Sequence, residues 1–285
     1  MKKTVAFIAL IAFMYSCSSV PITGRKQLSL VSDDEVMSLS LQEYSDYIKT
    51  AQKSTDKTNT ALVVKVGQNI AGAVTAYYKS VGQESLLNGY AWEFNLIKDP
   101  QVNAFCMPGG KIVVYEGILP YTQNETGLAV VLGHEVAHAV AKHANERMSQ
   151  QVAAQYGSTA LGVILGSQSE TAQTIAGTVY GLGSQYGVML PFSRKQELEA
   201  DQLGLVFMAI AGYDPHEAVP FWQRMAAQGN AVPEFMSTHP SDQTRISKIQ
   251  SDFLPLALKY YNTGKVSGSS SGTPSNAKTD SKWSF

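Results

Sequence analysis

Apolar and polar positions repeat along this chain with two periods, and each period marks out its own elements. Leu62, Val66, Ile70, Val74 and Tyr77 recur at intervals of three and four, the repeat of one helix face, and predict a helix over about 59–80. Ser32-Asp33-Asp34-Glu35 has the form of a capping box and predicts an earlier helix running to about Lys53. Trp92, Phe94 and Leu96 alternate with polar residues, which predicts a strand. Val102 to Met107 and Lys111 to Tyr115 are short β-type runs on either side of Pro108-Gly109-Gly110, and read as a hairpin. Thr122 and Glu125 have the spacing of a second capping box before an apolar run from Leu128. Ser193 and Gln196 have it again before a helix ending near Gly212, and a last helix is expected over 244–256. The fold class is therefore mainly α with a small β-sheet or hairpin (α+β), in one domain over 32–257.

The two ends depart from this patterning. Met1-Lys2-Lys3 precedes an apolar run from Thr4 to Tyr15, too short for a helix across a ~30 Å bilayer core, so residues 1–16 read as a signal peptide. Cys17 directly follows Ser16, as in a bacterial lipobox, and is the expected site of lipid attachment. On that reading 17–31, with Pro21, Gly24, Arg25 and Lys26, form an extended linker to a membrane, and several acyl chains anchor it. Residues 152–190 are rich in Ala, Gly, Ser and Gln and read as loosely packed helices. Residues 258–285 have the Ser/Gly-rich composition of a disordered tail.

Composition narrows the chemistry. With 22 Lys+Arg against 23 Asp+Glu, the 285-residue chain lacks the basic excess of a nucleic-acid binder. Two Cys rule out a disulfide scaffold and a four-thiolate zinc site. A His-based metal site must therefore be drawn from His134, His138, His143, His216 and His239. Cys106, left alone once Cys17 is assigned, reads as a small buried hydrophobe.

His134-Glu135-Val136-Ala137-His138 is an H-E-x-x-H run inside the helix that begins near Glu125. Residues four apart turn through about 400°, so the two imidazoles share a face and can meet one tetrahedral metal. Glu135, rotated about 100° from His134, can border the metal without ligating it and take a proton from water. His143 lies nine residues beyond His134, about 180° around the helix, so it points away from the metal and reads as a surface or second-layer residue. A third ligand must come from elsewhere. Glu197 and Asp201, again four apart, are candidates: one acid can ligate and the other orient a ligand. The same run, beside Arg194 and Lys195, also reads as a solvated acidic face.

Pro21 to Leu28, Asn103 to Leu119, the H-E-x-x-H helix, Glu197 to Asp201, and Ser237-Thr238-His239-Pro240-Ser241 occur in this order. Together they resemble the HtpX and CAAX-prenyl-protease-like family of zinc metalloendopeptidases (gluzincins), with most likeness to a periplasmic lipoprotein, LoiP-like branch. The resemblance implies a zincin-like domain with one Zn2+ held by His134, His138 and Glu197. It implies Glu135 as general base, Asp201 as proton donor or orienting group, and His239 as a switch or transition-state donor. It implies that the strand Lys111–Tyr115 is the sheet edge along which substrate lies extended. The expected activity is cleavage of exposed or misfolded polypeptides by a Glu-activated water at zinc, in a bacterial envelope protein facing the periplasm, in the outer membrane. The alternative is a lipoprotein chaperone or assembly factor with a closed or regulated zinc site. Oligomeric state has no signature in the chain.

Overall fold

The computed structural model describes residues 17–164, 193–227, 234–239 and 243–268. The expected signal peptide lies outside them, as does most of the 152–190 segment beyond Ile164. None of the described helices is long and apolar enough to cross a membrane.

Two antiparallel strands open the structure, β1 (Cys17–Ser19) and β2 (Lys26–Leu28), with Cys17 opposite Leu28. The expected extended linker is thus a docked hairpin. Val20 is buried in the core, and the turn residues Thr23 and Arg25 bond to acids of distant helices, so segment 17–31 is held by its own contacts. Helix α1 (Asp33–Thr50) starts where Ser32 accepts from the Glu35 N–H, and α2 (Lys57–Ser80) is capped by Asp56. The periodic face of α2, including Val66, Ile70 and Val74, is buried in the core.

A three-stranded sheet follows, formed by β3 (Glu93–Ile97), β4 (Ala104–Met107) and β5 (Lys111–Tyr115), in the order β3-β5-β4. The expected β4–β5 hairpin is present, turning through Gly109 and Gly110, both at positive φ. β3 pairs with β5 in parallel, from Glu93 opposite Lys111 to Ile97 opposite Tyr115. Lys111–Tyr115 is therefore the middle strand. Its hydrogen bonds are spent on two neighbours, and it is not the edge expected to receive a peptide.

Short helix α3 (Leu119–Thr122) leads to α4 (Glu125–Val140), the H-E-x-x-H helix. The expected Thr122–Glu125 capping box does not form. Thr122 belongs to α3, Gln123 turns at φ 62, and Asn124 becomes the cap, its Oδ1 2.8 Å from the Gly127 N–H. All residues from Gly127 to Val140 are buried, so α4 is the axis of the domain. It crosses α6 (Arg194–Ile210), which does begin with the predicted Ser193–Gln196 capping box. A Cβ on Gly204 would come within 2.8 Å of the Gly133 carbonyl carbon and the His134 nitrogen. Two glycines at the crossing thus let the two site-bearing helices approach backbone to backbone.

Between them lies α5 (His143–Ile164). After α6 come α7 (Ala218–Ala226), α8 (Glu234–Thr238), α9 (Gln243–Lys248), a π-helical segment Ile249–Phe253, and α10 (Leu254–Gly268). Residues 258–268, expected in a disordered tail, continue this last helix, where Ala257 is buried and Tyr260 and Tyr261 pack on the core. The composition of the tail masked an apolar stripe. Residues 269–285 lie outside the described residues.

Candidate metal centre

His134 and His138 project from α4 one turn apart, and Glu197 projects toward them from the first turn of α6. His134 Nε2 and His138 Nε2 are 3.0 Å apart, and each lies 3.4 Å from a Glu197 oxygen. His239, just past α8, adds Nδ1 at 3.2 Å from His134 Nε2 and 3.1 Å from Glu197 Oε1. All four groups are buried, and one donor atom from each lies within 4.8 Å of the others.

The donor set can be tested against the metal it suggests. Donors at about 2.0–2.1 Å from a tetrahedral zinc stand roughly 3.3–3.4 Å from one another. The observed 3.0–3.4 Å separations among these nitrogens and oxygens are close to that. Two or three imidazoles and a carboxylate are also a donor chemistry zinc accepts. The residues fit the ion.

Glu135 is buried beside this cluster, and among the described residues its Oε1 has no hydrogen-bond partner. His239 Nε2 stands 3.4 Å from that oxygen. Burial pushes the carboxyl up to about 7, with Glu197 adding to the rise while His239, Arg245 and the Cys106 backbone N–H oppose it. The Cys106 contact places β4 against the carboxylate. The Cys106 thiol itself is held well above its ordinary range by burial, which suits a packing residue and not a nucleophile.

Asp201 stands behind His134. Its Oδ1 is 3.0 Å from His134 Nδ1 and 2.8 Å from an Arg245 nitrogen, and its Oδ2 is 2.5 Å from Arg245 Nε. Both oxygens are engaged away from the donor cluster, which is the arrangement of a group that orients a ligand rather than one that delivers a proton. Arg245 also lies 2.7 Å from Glu197 Oε2 and rests 3.7 Å above the Trp222 ring. Burial works against its charge, but Asp201 and Glu197 more than compensate and its pKa is raised. The same guanidinium, with His239, holds Glu197 ionised against burial.

Sequence reasoning missed Arg245. The one available signal was its place one turn before Ile249 on a helix whose other inward residues are apolar. His143 takes the second-layer place, one of the two expected for it, but it does not point away from the site. Helix α4 ends at Val140 and Lys142 turns at φ 57, so angles counted onward from His134 no longer apply. His143 is fully buried, 2.8 Å from His138 and 2.9 Å from Glu199. The acidic run of α6 is no solvated face: Glu197, Glu199 and Asp201 are all buried. Cys17 lies apart from the centre, at the start of β1, and His216 is exposed beside Asp214.

A helical domain with a small sheet, an H-E-x-x-H helix and an acid from a second helix completing the donor set defines a zinc metallopeptidase. The chain belongs to peptidase family M48, whose profile matches residues 70–252. It is 41% identical over 188 residues to the mitochondrial metalloendopeptidase OMA1 of Schizosaccharomyces pombe, covering 65% of this chain and 53% of that protein. It is 33% identical over 251 residues to the protein of that name in Saccharomyces cerevisiae, covering 85% and 70%. It is 32% identical over 184 residues to the beta-barrel assembly-enhancing protease of Yersinia pestis, covering 61% and 38%. The chain thus spans between about two fifths and seven tenths of the length of these relatives.

Peptidase family M48 is a family of zinc metallopeptidases, and the cluster of His134, His138, Glu197 and His239 could hold that metal. These relatives do not single out a periplasmic lipoprotein branch. They also overturn the expected placement in a bacterial outer membrane, because the two yeast proteins are mitochondrial by name. The apolar run behind that expectation, Thr4 to Tyr15, lies outside the matched region, residues 70–252.

Proposed function

We propose that this chain cleaves exposed or misfolded polypeptides at a zinc centre held by His134, His138 and Glu197, with Glu135 as the general base. The observation that supports it best is a buried carboxylate oxygen without a hydrogen bond, beside a four-donor cluster of zinc-like spacing. Zinc, when bound, supplies Lewis acidity that polarises the scissile carbonyl and makes water acidic at neutral pH. Glu135 takes the proton of the attacking water and passes it to the leaving amine, a task suited to a carboxyl near pH 7. Asp201 and Arg245 fix the ring of His134. The edge strand β4, whose Cys106 N–H reaches Glu135, offers backbone groups to an extended peptide with little sequence preference.

His239 sits where a fourth ligand would close the site, so on this proposal it withdraws when substrate enters. The same position favours a second reading, a permanently closed zinc site in a chaperone or assembly factor. Casein digestion with and without chelator separates the two, and Glu135→Gln tests the mechanism. Zinc should remain bound while cleavage collapses; unchanged cleavage would remove Glu135 as the base. Acylation of Cys17 is a separate proposal, resting on the Ser16-Cys17 step, and the mass of the mature N-terminus tests it.

A further inference from the structure

The two imidazoles of α4 are steered from behind in different ways. His134 Nδ1 meets a carboxylate directly, Asp201 at 3.0 Å. His138 Nδ1 meets instead a third imidazole, His143 Nδ1 at 2.8 Å. The far nitrogen of that ring, His143 Nε2, lies 2.9 Å from Glu199 Oε2. Glu199 is in turn held by the N-terminal hairpin: Thr23 donates to its Oε1, and Arg25 Nε lies 2.7 Å from its Oε2. The other end of Arg25 grips Glu146 with two nitrogens at 2.7 and 2.8 Å, and Gln196 donates to the same carboxylate at 2.8 Å. Glu146, Glu199, His143 and His138 are all buried, and of these the catalytic reading above uses only His138.

With both imidazoles neutral, donor and acceptor roles in the chain follow from its acidic end. Glu199, bonded to a guanidinium and a hydroxyl, is a carboxylate and can only accept. His143 Nε2 therefore carries that ring's one hydrogen. His143 Nδ1 is then bare and, at 2.8 Å, accepts from His138 Nδ1–H. That leaves the lone pair of His138 on Nε2, the nitrogen facing Glu197 and His134. Glu199 thus does for His138, through one intervening ring, what Asp201 does for His134 directly.

We infer that His143 and Glu199 are positioning residues that set the tautomer and orientation of His138 for metal binding, and that the N-terminal hairpin, through Thr23 and Arg25, holds them in register. This rests on the zinc reading of the site. A segment far from the centre in sequence then becomes part of it, and displacing the hairpin would loosen one ligand without touching the others.

Zinc affinity is measured by competition with a chromophoric chelator on the full chain, for wild type, His143→Phe and Arg25→Met. Outer-shell substitutions of this kind weaken metal binding about 10–100-fold. That range is expected for His143→Phe, with a smaller loss in the same direction for Arg25→Met. Folded variants that bind zinc within twofold of wild type would overturn the inference while leaving the zinc site intact. A wild type that binds no zinc would overturn the zinc reading as well. Should a variant fail to fold, nitrogen-15 NMR of the wild type decides. A scalar coupling across the His138 Nδ1–H to His143 Nδ1 hydrogen bond is expected, and two resolved ring nitrogens without it would sink the relay.

Discussion

Replacing Glu135 by Gln should stabilise the metal-free protein, and by an amount that depends on pH in a predictable direction. Burial raises the Glu135 carboxyl from its ordinary 4.5 to about 7. The folded state then binds this proton more tightly than the unfolded state does, so stability falls as pH rises from about 4.5 to about 7. At about 1.4 kcal/mol per pH unit, the full penalty is about 3 kcal/mol above pH 7. Gln is close in shape to the protonated acid and carries no such penalty. Below about pH 4.5 the two proteins should be equally stable, and the advantage of Glu135→Gln should grow to about 3 kcal/mol near pH 8. Urea titrations of both proteins at half-unit pH steps, after chelation, measure the difference directly. Groups that do not touch Glu135 are common to both proteins and cancel in the difference. A difference that stays flat with pH would refute the claim that Glu135 sits in a site hostile to its charge. A difference of the opposite sign would mean that unseen donors favour the carboxylate.

Gly204→Ala should destabilise by about 1–3 kcal/mol, because its Cβ would meet the α4 backbone and not a flexible side chain; thermal unfolding checks this, and zinc affinity should fall with it as Glu197 retreats. Arg245→Met removes the buried partner of Asp201 and Glu197 and should cost about 3–5 kcal/mol by urea unfolding. His239→Ala should weaken zinc binding yet leave or increase casein cleavage if His239 is a removable fourth donor; loss of all cleavage with zinc retained would instead make it part of the chemistry.

The parts legible in the sequence were those whose geometry is local. His134, Glu135 and His138 lie on one turn of one helix, so the period alone places them. The faces of α2 and the capping box at Ser193 followed from spacing in the same way. Glu197 and Asp201 were legible as a pair sharing a face, but choosing the ligand between them needed the resemblance. Local reasoning failed wherever the chain turned or distant segments met. His143 faces the site and not away from it because Lys142 breaks the helix, and no periodicity signals that break. The Thr122 cap failed because Gln123 takes a left-handed turn and hands the role to Asn124. Sheet order is not a local property either, so the middle strand β5 was taken for an edge that belongs to β4.

The three acids of α6 show how far such fates are set from outside the helix. Glu199 is held by Arg25, some 170 residues earlier in the chain. Glu197 and Asp201 share Arg245 from the C-terminal region. With Glu135 included, the inner site holds three carboxylates against one guanidinium. Burial keeps His138 from charging, whereas at His134 burial and Arg245 oppose the charge but Asp201 and Glu197 outweigh them and raise its pKa. An excess of negative charge in a buried, low-dielectric pocket is costly unless protons or a cation offset it. The metal-free protein can offset it with protons on His134 and Glu135, which is the sense of both raised pKa values. A divalent cation would offset it instead and leave Glu135 free of its proton. The charge balance of the site thus calls for a cation, and the spacing of its donors is that of zinc.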